Sequence, residues 1–548
     1  MFARNETPGT ADLQDSLHLQ APPGAKPALP PPRPLCSRAA FVTAKPPFVT
    51  PGSVRGNRGP GSAYTLTMLL APIVALSLAA APAAAVPFPT GRIVEKVVCQ
   101  SDPAWSYALY LPSGYTPQRR WPVLLVFDPG ARAVLGAELF REPAERFGWI
   151  VLSSADTRSS GVTMEHNLKA ATAMFNELDT RYAADLRRVY AAGFSGGATV
   201  AWVIGYRPGV LAGVIGCGGP YRDGVFPDRV TYDLFGATGT TDFNHRGMQQ
   251  IDALVGKHGA AHRLEVFPGP HSWMPPAMAA EGVAWLEVQA MRRGLREGDD
   301  AAVGAIFDAD CAAARELEAT GRKLDAMRRW EAIAASYGGL RDIAQAQAEA
   351  ARLAALPEIA NERKDEDKWR SFEDGYVDEM FTALAQIQGV DSPPPAPRLA
   401  GDLRVGNLER MARQPGREGV TGARLLECVW SQLVVMLMPQ LLARADYARL
   451  VPTLTVAVRI KPGTPYVLYN LACAHARSGS KGAALDALAK AADAGFRDLK
   501  GLEGDPDLAS IRGKKEYKEL VARLAALPPP TPAPGTMAPA PTAAPPAP

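Results

Sequence analysis

Three polar residues stand in an order that could perform nucleophilic catalysis, namely Ser195, then Asp242, then His271. A serine hydroxyl is a weak nucleophile at neutral pH until an imidazole accepts its proton. The imidazole in turn needs a carboxylate to hold its tautomer and to stabilise the imidazolium. These three residue types therefore predict acyl transfer through a covalent serine intermediate, provided that the fold brings them together.

Ser195 lies in the pattern G-x-S-x-G, between Gly193 and Gly197. The residues before it, 188–192, favour a β-strand, and the small residues after it favour a helix. A strand, a tight turn and a helix in this order expose the serine hydroxyl at the carboxyl end of a parallel sheet. A purely structural turn serine is the alternative, but this context indicates a nucleophile.

Asp242 and His271 each follow a predicted strand, at 232–236 and 263–267 respectively. Loops at the carboxyl ends of parallel strands meet at one edge of the sheet. We therefore expect Asp242 to orient His271, and His271 to act as the base for Ser195.

Other residues compete for these two roles. Asp233 begins its predicted strand and therefore faces the opposite end of the sheet. His245 lies close to Asp242 and remains an alternative base. The other histidines of this part of the chain are placed less suitably by their predicted elements; they are His166, His258 and His262.

The elements that must position these residues alternate between short apolar runs and helical patterns. A helix is predicted at 162–182, with an apolar stripe along one face. The predicted strands are 92–99, 107–112, 122–127, 148–153, 188–192, 213–217, 232–236 and 263–267. Strands that alternate with helices predict an α/β fold, in which helices cover both faces of a mostly parallel sheet.

Five features of this region together carry a resemblance to a known family. Three are the G-x-S-x-G turn, Asp242 and the sequence around His271; the other two are Y-A-L-Y-L-P-S-G-Y at 107–115 and D-P-G at 128–130. Residues 86–296 resemble the α/β-hydrolase superfamily. The similarity is greatest to the phospholipase/carboxylesterase, dienelactone-hydrolase and polyester-depolymerase-like esterases. The resemblance implies hydrolysis of a small-molecule or lipid-like ester through an acyl-enzyme, without metal or cofactor.

Acyl transfer also needs two N–H groups that stabilise the oxyanion. One is expected from Gly196, the residue after the nucleophile. The other is expected from Gly130 or Ala131, in the loop after the strand at 122–127. Related hydrolases often carry His-Gly at the start of this loop, whereas this chain carries Asp-Pro. Arg132, in the same loop, is expected to be a surface residue or a clamp for an anionic group of the substrate.

Strand patterns end near residue 297, and residues 297–525 show alanine-rich helical periodicity. Residues 465–498 fit a tetratricopeptide-like pattern, and similar spacings recur 34 residues earlier and, more faintly, around 321–333. A generic helical bundle is the alternative. Such repeats usually bind a protein partner on a concave surface, although this region could equally cap the active site.

The ends of the chain favour disorder and export. Residues 1–67 are rich in proline, and 68–85 resemble a signal peptide with an A-x-A cleavage pattern, too short for a stable membrane span. They predict a periplasmic or extracellular protein whose true start lies near Met68. Residues 526–548 form a Pro/Ala-rich tail that we expect to be disordered.

Composition excludes other classes of function. The net charge of +3 on 548 residues gives no sign of a nucleic-acid or membrane-surface partner. Five cysteines follow the predicted signal peptide without a C-x-x-C pair, so no zinc or redox site is indicated, and any disulfide pairing stays open. The chain is therefore interpreted as an exported serine hydrolase; a non-catalytic binding scaffold and a serine peptidase are the alternatives.

Overall fold

The centre of the first region is β3 (Trp121–Phe127), in which every residue is buried. An uninterrupted apolar strand of this kind belongs in a parallel sheet that is covered on both faces. The computed structural model describes residues 88–219, 229–389 and 392–527. The predicted leader and signal peptide, and nearly all of the predicted tail, lie outside the described residues.

Eight strands form one sheet, in the order β1-β2-β4-β3-β5-β6-β7-β8. β2 is antiparallel to both β1 and β4, and all other neighbours are parallel. Each predicted strand coincides with an observed one. The other seven strands are β1 (Ile93–Val98), β2 (Ser106–Tyr110), β4 (Ile150–Ser154), β5 (Ala184–Phe194), β6 (Gly213–Cys217), β7 (Asp233–Gly239) and β8 (His262–Phe267).

Helices cover both faces of this sheet. α1 and α5 pack on one face, and α2, α3 and α4 pack on the other. Their bounds are α1 (Ala133–Phe147), α2 (Met164–Thr180), α3 (Gly196–Gly205), α4 (His245–Lys257) and α5 (Pro276–Arg292).

Helix α2 shows how local sequence signals set these elements. The hydroxyl of Thr163 caps the helix by accepting a hydrogen bond from the N–H of His166. Glu165 places a negative charge in the first turn, where the helix dipole favours it. Met174 and Leu178 repeat at helical spacing and are fully buried against the sheet.

In the described residues after α5, all regular elements are helices. They are α6 (Asp300–Ala319), α7 (Lys323–Tyr337), α8 (Ala344–Ala354), α9 (Pro357–Gly389), α10 (Ala396–Asp402), α11 (Val405–Met411), α12 (Gly416–Ser431), a π-helix (Gln432–Leu437), α13 (Met438–Ala443), α14 (Tyr447–Ile460), α15 (Pro465–Arg477), α16 (Lys481–Asp493), α17 (Leu499–Gly504), a 3₁₀ helix (Pro506–Leu508) and α18 (Lys515–Ala525).

Two apolar cores organise these helices. In the first, α6, α7 and α8 pack against the outer side of α5, so the helical region continues directly from the sheet-containing region. The second core is formed by the helices from α10 onward. The 33-residue α9 joins them, with Ile359 in the first core and Tyr376 in the second.

One run of helices, Gly416–Ala443, is long and apolar enough to cross a membrane by length and composition. Of its most apolar window, 44% is buried within the structure. Leu425, Val429 and Leu433 from this run belong to the second helical core. A buried core helix passes the same test, so this run does not establish a membrane span.

All five cysteines that follow the predicted signal peptide are free thiols. Burial raises the pKa of Cys99 to about 12, and the pKa of Cys428 is raised to the same value for the same reason. These thiols therefore remain protonated at neutral pH and behave as small apolar side chains.

Candidate active site

Ser195 occupies a sharp turn between β5 and α3. Its backbone has φ 52° and ψ −121°, a conformation that non-glycine residues rarely adopt. Such strain costs of order 1–3 kcal/mol and persists only where the surrounding structure imposes it. The surroundings here include the carbonyl of Cys217, on the neighbouring strand β6, which accepts a hydrogen bond from the N–H of Ser195 at 2.9 Å.

The two glycines of the G-x-S-x-G pattern are required by close packing at this turn. A Cβ atom on Gly193 would overlap the backbone of Gly197. A Cβ atom on Gly197 would overlap the carbonyl of Phe127, at the end of β3. The pattern therefore specifies a strand and a helix that meet too closely for larger residues.

The structure brings Ser195, His271 and Asp242 into one hydrogen-bonded chain. Nε2 of His271 lies 3.0 Å from Oγ of Ser195, and Nδ1 of His271 lies 2.9 Å from Oδ1 of Asp242. Because an ionised carboxylate only accepts hydrogen bonds, Nδ1 carries the proton and donates it to Asp242. Nε2 is then free to accept the hydrogen bond of the Ser195 hydroxyl, the arrangement that a general base needs.

Asp242 is fully buried. Its Oδ1 also accepts the N–H of Asn244 at 2.7 Å, while its Oδ2 has no hydrogen-bond donor within the described ranges. A Cβ atom on Gly218 would lie 2.5 Å from that Oδ2. Glycine at position 218 therefore leaves room for the carboxylate beside the histidine.

The loops that carry Asp242 and His271 are bonded to each other. The N–H of Thr241 donates to the carbonyl of Gly269 at 2.9 Å, and the N–H of Gly269 donates to the hydroxyl of Thr240 at 3.2 Å. These bonds fix the acid and the histidine relative to each other through their backbones.

Two aromatic rings contact the imidazole of His271. The ring centroid of Phe243 lies 4.2 Å from that of His271, and that of Phe194 lies 4.6 Å away. Only 17% of the His271 side chain is exposed. The base therefore lies between apolar walls, which restrict its rotation and exclude water from its faces.

The loop after β3 directs two of its N–H groups toward Asp128. The N–H of Gly130 donates to Oδ1 of Asp128 at 2.8 Å, and the N–H of Ala131 donates to the carbonyl of Asp128 at 3.1 Å. Asp128 therefore holds both N–H groups in its own turn, and the role of Gly130 or Ala131 as an oxyanion donor stays a prediction. Gly196 does begin α3, where a helix leaves its first N–H groups without intrahelical acceptors.

Asp128 connects this loop to the histidine loop. The guanidinium of Arg132 pairs with both of its carboxylate oxygens at 2.9 Å, and Nε1 of Trp273 donates to Oδ2 at 2.8 Å. Arg132 is thus neither an unpaired surface residue nor a ready clamp for an anionic group. Its pairing with Asp128 raises the pKa of the guanidinium further.

The competing residues lie elsewhere. His245 begins α4 and is buried, with Nδ1 3.2 Å from the carbonyl of Gly239 and Nε2 3.1 Å from the amide of Gln249. Burial, with a contribution from nearby Arg424, lowers its pKa to about 4. Asp233 pairs with Arg293 near the start of β7, far from the carboxyl end of the sheet.

Sequence reasoning missed the residues that support the site. Asp128 and Trp273 are 145 positions apart, so no local pattern could pair them. Ser159 was also missed; a Cβ atom on Gly196 would lie 2.4 Å from the Cβ of Ser159, and the N–H of Ser159 donates to the carbonyl of Pro129. The sequence did offer one signal for Asp128, because this carboxylate directly follows the buried strand β3 and stands four residues before Arg132. No cluster of three metal-ligating side chains occurs among the residues that the structure describes.

Comparisons with known proteins give only distant similarities. No family model matches the chain, and no curated protein matches it. Among solved structures, esterase 2 of Thermogutta terrifontis phosphonylated by sarin is similar at 13% identity, over 39% of this chain and 98% of that one, with a TM-score of 0.31. The propionate-bound form of that esterase is 15% identical over 37% and 96% of the two chains, with a TM-score of 0.31. A hyperthermophilic esterase from Pyrobaculum calidifontis is 13% identical over 37% and 87%, with a TM-score of 0.30.

The class of the first region rests on its own architecture. A mostly parallel eight-stranded sheet with helices on both faces is consistent with an α/β-hydrolase domain. The strained serine at the end of β5, with its histidine and aspartate on later loops, has the geometry of a serine nucleophile with its base.

Proposed function

We propose that this protein is a serine hydrolase that cleaves carboxylic esters through an acyl-enzyme. The observation that carries the proposal is the continuous hydrogen-bonded chain from Ser195 through His271 to the buried Asp242. A scaffold kept only for binding gains nothing from a strained serine backbone in contact with an imidazole, because the strain lowers stability.

In the first half of the proposed reaction, Oγ of Ser195 attacks the ester carbonyl carbon while its proton passes to Nε2 of His271. The carbonyl oxygen becomes negatively charged and is stabilised by the N–H of Gly196, at the positive end of the α3 dipole. The tetrahedral intermediate then breaks its bond to the alcohol oxygen. His271 gives that oxygen the proton, and the alcohol leaves the acyl-enzyme.

In the second half, a water molecule takes the place of the alcohol. The oxygen of the water attacks the acyl carbon while His271 accepts a proton from the water. Collapse of the second tetrahedral intermediate breaks the bond to Oγ, which recovers the proton from His271. Asp242 stabilises the imidazolium in both halves without accepting its proton.

A non-catalytic binding scaffold remains the second candidate. The observation that favours it is the loop after β3, where the N–H groups of Gly130 and Ala131 are directed toward Asp128. With only one preset oxyanion donor, the rate would be lower by about 10²–10³ than with two. A serine peptidase needs at least as much oxyanion stabilisation, so an ester is the favoured substrate.

The helical region is proposed to be built from tetratricopeptide-like hairpins that bind a protein partner. The pairs α13/α14 and α15/α16 are successive hairpins. Their turns contain Ala445 with φ 51° and Gly479 with φ 80°, 34 residues apart, which matches the period of this repeat. Export through the segment 68–85 is part of the proposal and rests on sequence alone.

Fluorophosphonate labelling of the full-length protein tests the proposed function. We expect the wild type to be labelled, and both Ser195→Ala and His271→Ala to lose labelling and at least about 10⁴-fold in kcat/KM on short-chain aryl esters. His245→Asn, the matched control at the competing histidine, should keep both. A folded wild type that is not labelled would favour the scaffold.

A further inference from the structure

An arginine of the helical region reaches the loop that carries Asp242. The NH1 group of Arg424, on α12, donates to the carbonyl oxygen of Thr240 at 2.7 Å. Thr240 precedes Asp242 by two residues. This contact joins parts of the chain that are 184 residues apart in sequence.

The guanidinium is itself fixed by a second helix. Glu373, on α9, accepts hydrogen bonds from Nε and NH2 of Arg424 at 2.8 and 2.7 Å. The two side chains are only 11% and 5% exposed. A bidentate arginine–carboxylate pair has a defined orientation, so the remaining nitrogen, NH1, points in a fixed direction at the loop.

The loop at 240–244 connects β7 to α4 and has no regular structure of its own. The N–H of Thr240 donates to Phe267, at the end of β8, and its hydroxyl accepts from Gly269 in the histidine loop. A residue held at its N–H, its hydroxyl and its carbonyl cannot rotate. Arg424 supplies the carbonyl contact, and so acts on both catalytic loops.

A second ion pair supports the same junction. Arg246, in the first turn of α4, pairs with Asp374 at 3.0 and 3.1 Å. Asp374 adjoins Glu373 on α9. The two arginine–acid pairs therefore hold the Asp242 loop from both of its ends.

We propose that Arg424 is a positioning residue for the triad: its guanidinium, oriented by Glu373, fixes the carbonyl of Thr240 and thereby the location of Asp242 against His271. This inference rests on the proposed function for its kinetic consequence. It assigns the helical region a direct role in the geometry of the catalytic centre, in addition to any partner that the region binds.

The test compares variants of the full-length protein. Arg424→Ala should lower kcat on a short-chain aryl ester by about 10- to 100-fold while KM stays within about twofold, because a small misplacement of a catalytic group has effects of this size. Arg424→Lys keeps the charge but cannot hold Glu373 bidentately and Thr240 at once, so its kcat should fall between Arg424→Ala and the wild type.

Arg449→Ala is the matched control. Arg449 donates to Asp446 at 2.7 Å and to the backbone carbonyl of Ile387 at 3.0 Å, and is 20% exposed. Both of those partners lie in the helical region. We expect Arg449→Ala to lower thermal stability as Arg424→Ala does, but to leave kcat unchanged.

A spectroscopic readout separates this inference from the proposed function. We expect the Nδ1 proton of His271, which bonds to Asp242, to give a low-field proton NMR signal in the wild type. Arg424→Ala should broaden or abolish this signal, and Arg449→Ala should keep it. If the wild type hydrolyses no ester and is not labelled, the proposed function fails, and this signal still decides the positioning role. If Arg424→Ala loses only stability, keeping both kcat and the signal, the inference is wrong.

Discussion

Replacement of Asp128 by asparagine perturbs the loop after β3 and the histidine loop at once. The carboxylate is fully buried and accepts hydrogen bonds from the N–H groups of Gly130 and Arg132, from the Arg132 guanidinium and from Nε1 of Trp273. An asparagine has nearly the same shape, but it has one acceptor oxygen and an NH2 group that only donates. In either amide orientation, the NH2 group faces a donor.

The size of the effect follows from which bonds are lost. If the amide oxygen takes the place of Oδ1, the NH2 group faces Trp273 and one nitrogen of Arg132; if it is flipped, the NH2 group faces Gly130 and Arg132. Each orientation loses a hydrogen bond to a charged partner, worth about 1.5–3 kcal/mol, and leaves a donor unsatisfied. We expect Asp128→Asn to lower the free energy of local opening by about 2–4 kcal/mol. Trp273→Phe removes one hydrogen bond to the Asp128 carboxylate and should cost about 1.5–3 kcal/mol.

Hydrogen exchange of the peptide at 128–136 measures this opening directly, which matters because a chain of several units need not unfold in one step. The double variant Asp128→Asn/Trp273→Phe provides the sharper test. Its cost should be smaller than the sum of the single costs by at least about 0.5 kcal/mol, since the asparagine NH2 no longer faces the indole. Strict additivity, or unchanged exchange in Asp128→Asn, would refute the reasoning.

Two further predictions concern pH and the repeat turns. Burial, with Arg424 adding to it, lowers the pKa of His245 from 6.5 to about 4, so the unfolded chain binds a proton in this window that the native state does not. His245 should therefore lower native stability as the pH drops from 6.5 to 4, by up to about 3 kcal/mol. Urea midpoints across this range should fall more in the wild type than in His245→Asn, which keeps the smaller loss from His475, whose pKa burial also lowers. Parallel profiles would contradict the prediction. Ala445 has φ 51° where Gly479 has φ 80° in the next hairpin, so Ala445→Gly should stabilise the helical region by up to about 1 kcal/mol and Gly479→Ala should destabilise it by about 1 kcal/mol or more. Thermal melts of the two variants measure these changes in stability. If both variants were shifted in the same direction, the prediction for these two turns would be wrong.

The strands and the turn at Ser195 were predictable because their signals are local. An apolar run such as β3 is buried at every position, and the glycines around Ser195 are demanded by contacts within the same turn. The largest difference in a strand is at β5, which begins at Ala184 and not near Arg188. Its first half is partly exposed and carries Arg187, so it lacks the apolar pattern of a buried strand.

The supporting contacts could not be predicted, for a physical reason. Asp128 meets Trp273, and Arg424 meets Thr240, only after the sheet and the helices have assembled. Periodicity reports which face of an element is buried, but it does not report which distant polar group completes a hydrogen bond. The role of Gly130 or Ala131 as an oxyanion donor stays a prediction; what the sequence did not indicate is that Asp128, two residues before Gly130, is tied to Trp273 on the histidine loop.

The junction between the two regions contains a cluster of buried charges to which both regions contribute. Arg263, at the start of β8, is 2% exposed and pairs with Asp310 of α6 at 3.2 Å; Arg329 of α7 joins the same carboxylate at 2.5 Å. Although burial opposes ionisation, the two guanidinium groups lower the pKa of Asp310, while burial raises that of Glu281 in the same cluster.

A buried charge left without any partner costs about 3–5 kcal/mol, but Arg263 keeps Glu265 and Glu281 when Asp310 is lost, so the cost here is smaller. If α6 and α7 were detached, Arg263 would lose Asp310 and the apolar outer side of α5 would be exposed to water. The start of the helical region, α6 to α8, therefore shares an apolar core with α5 of the sheet-containing region. Further along the helical region, the contact of Arg424 with Thr240 reaches the loop that carries Asp242.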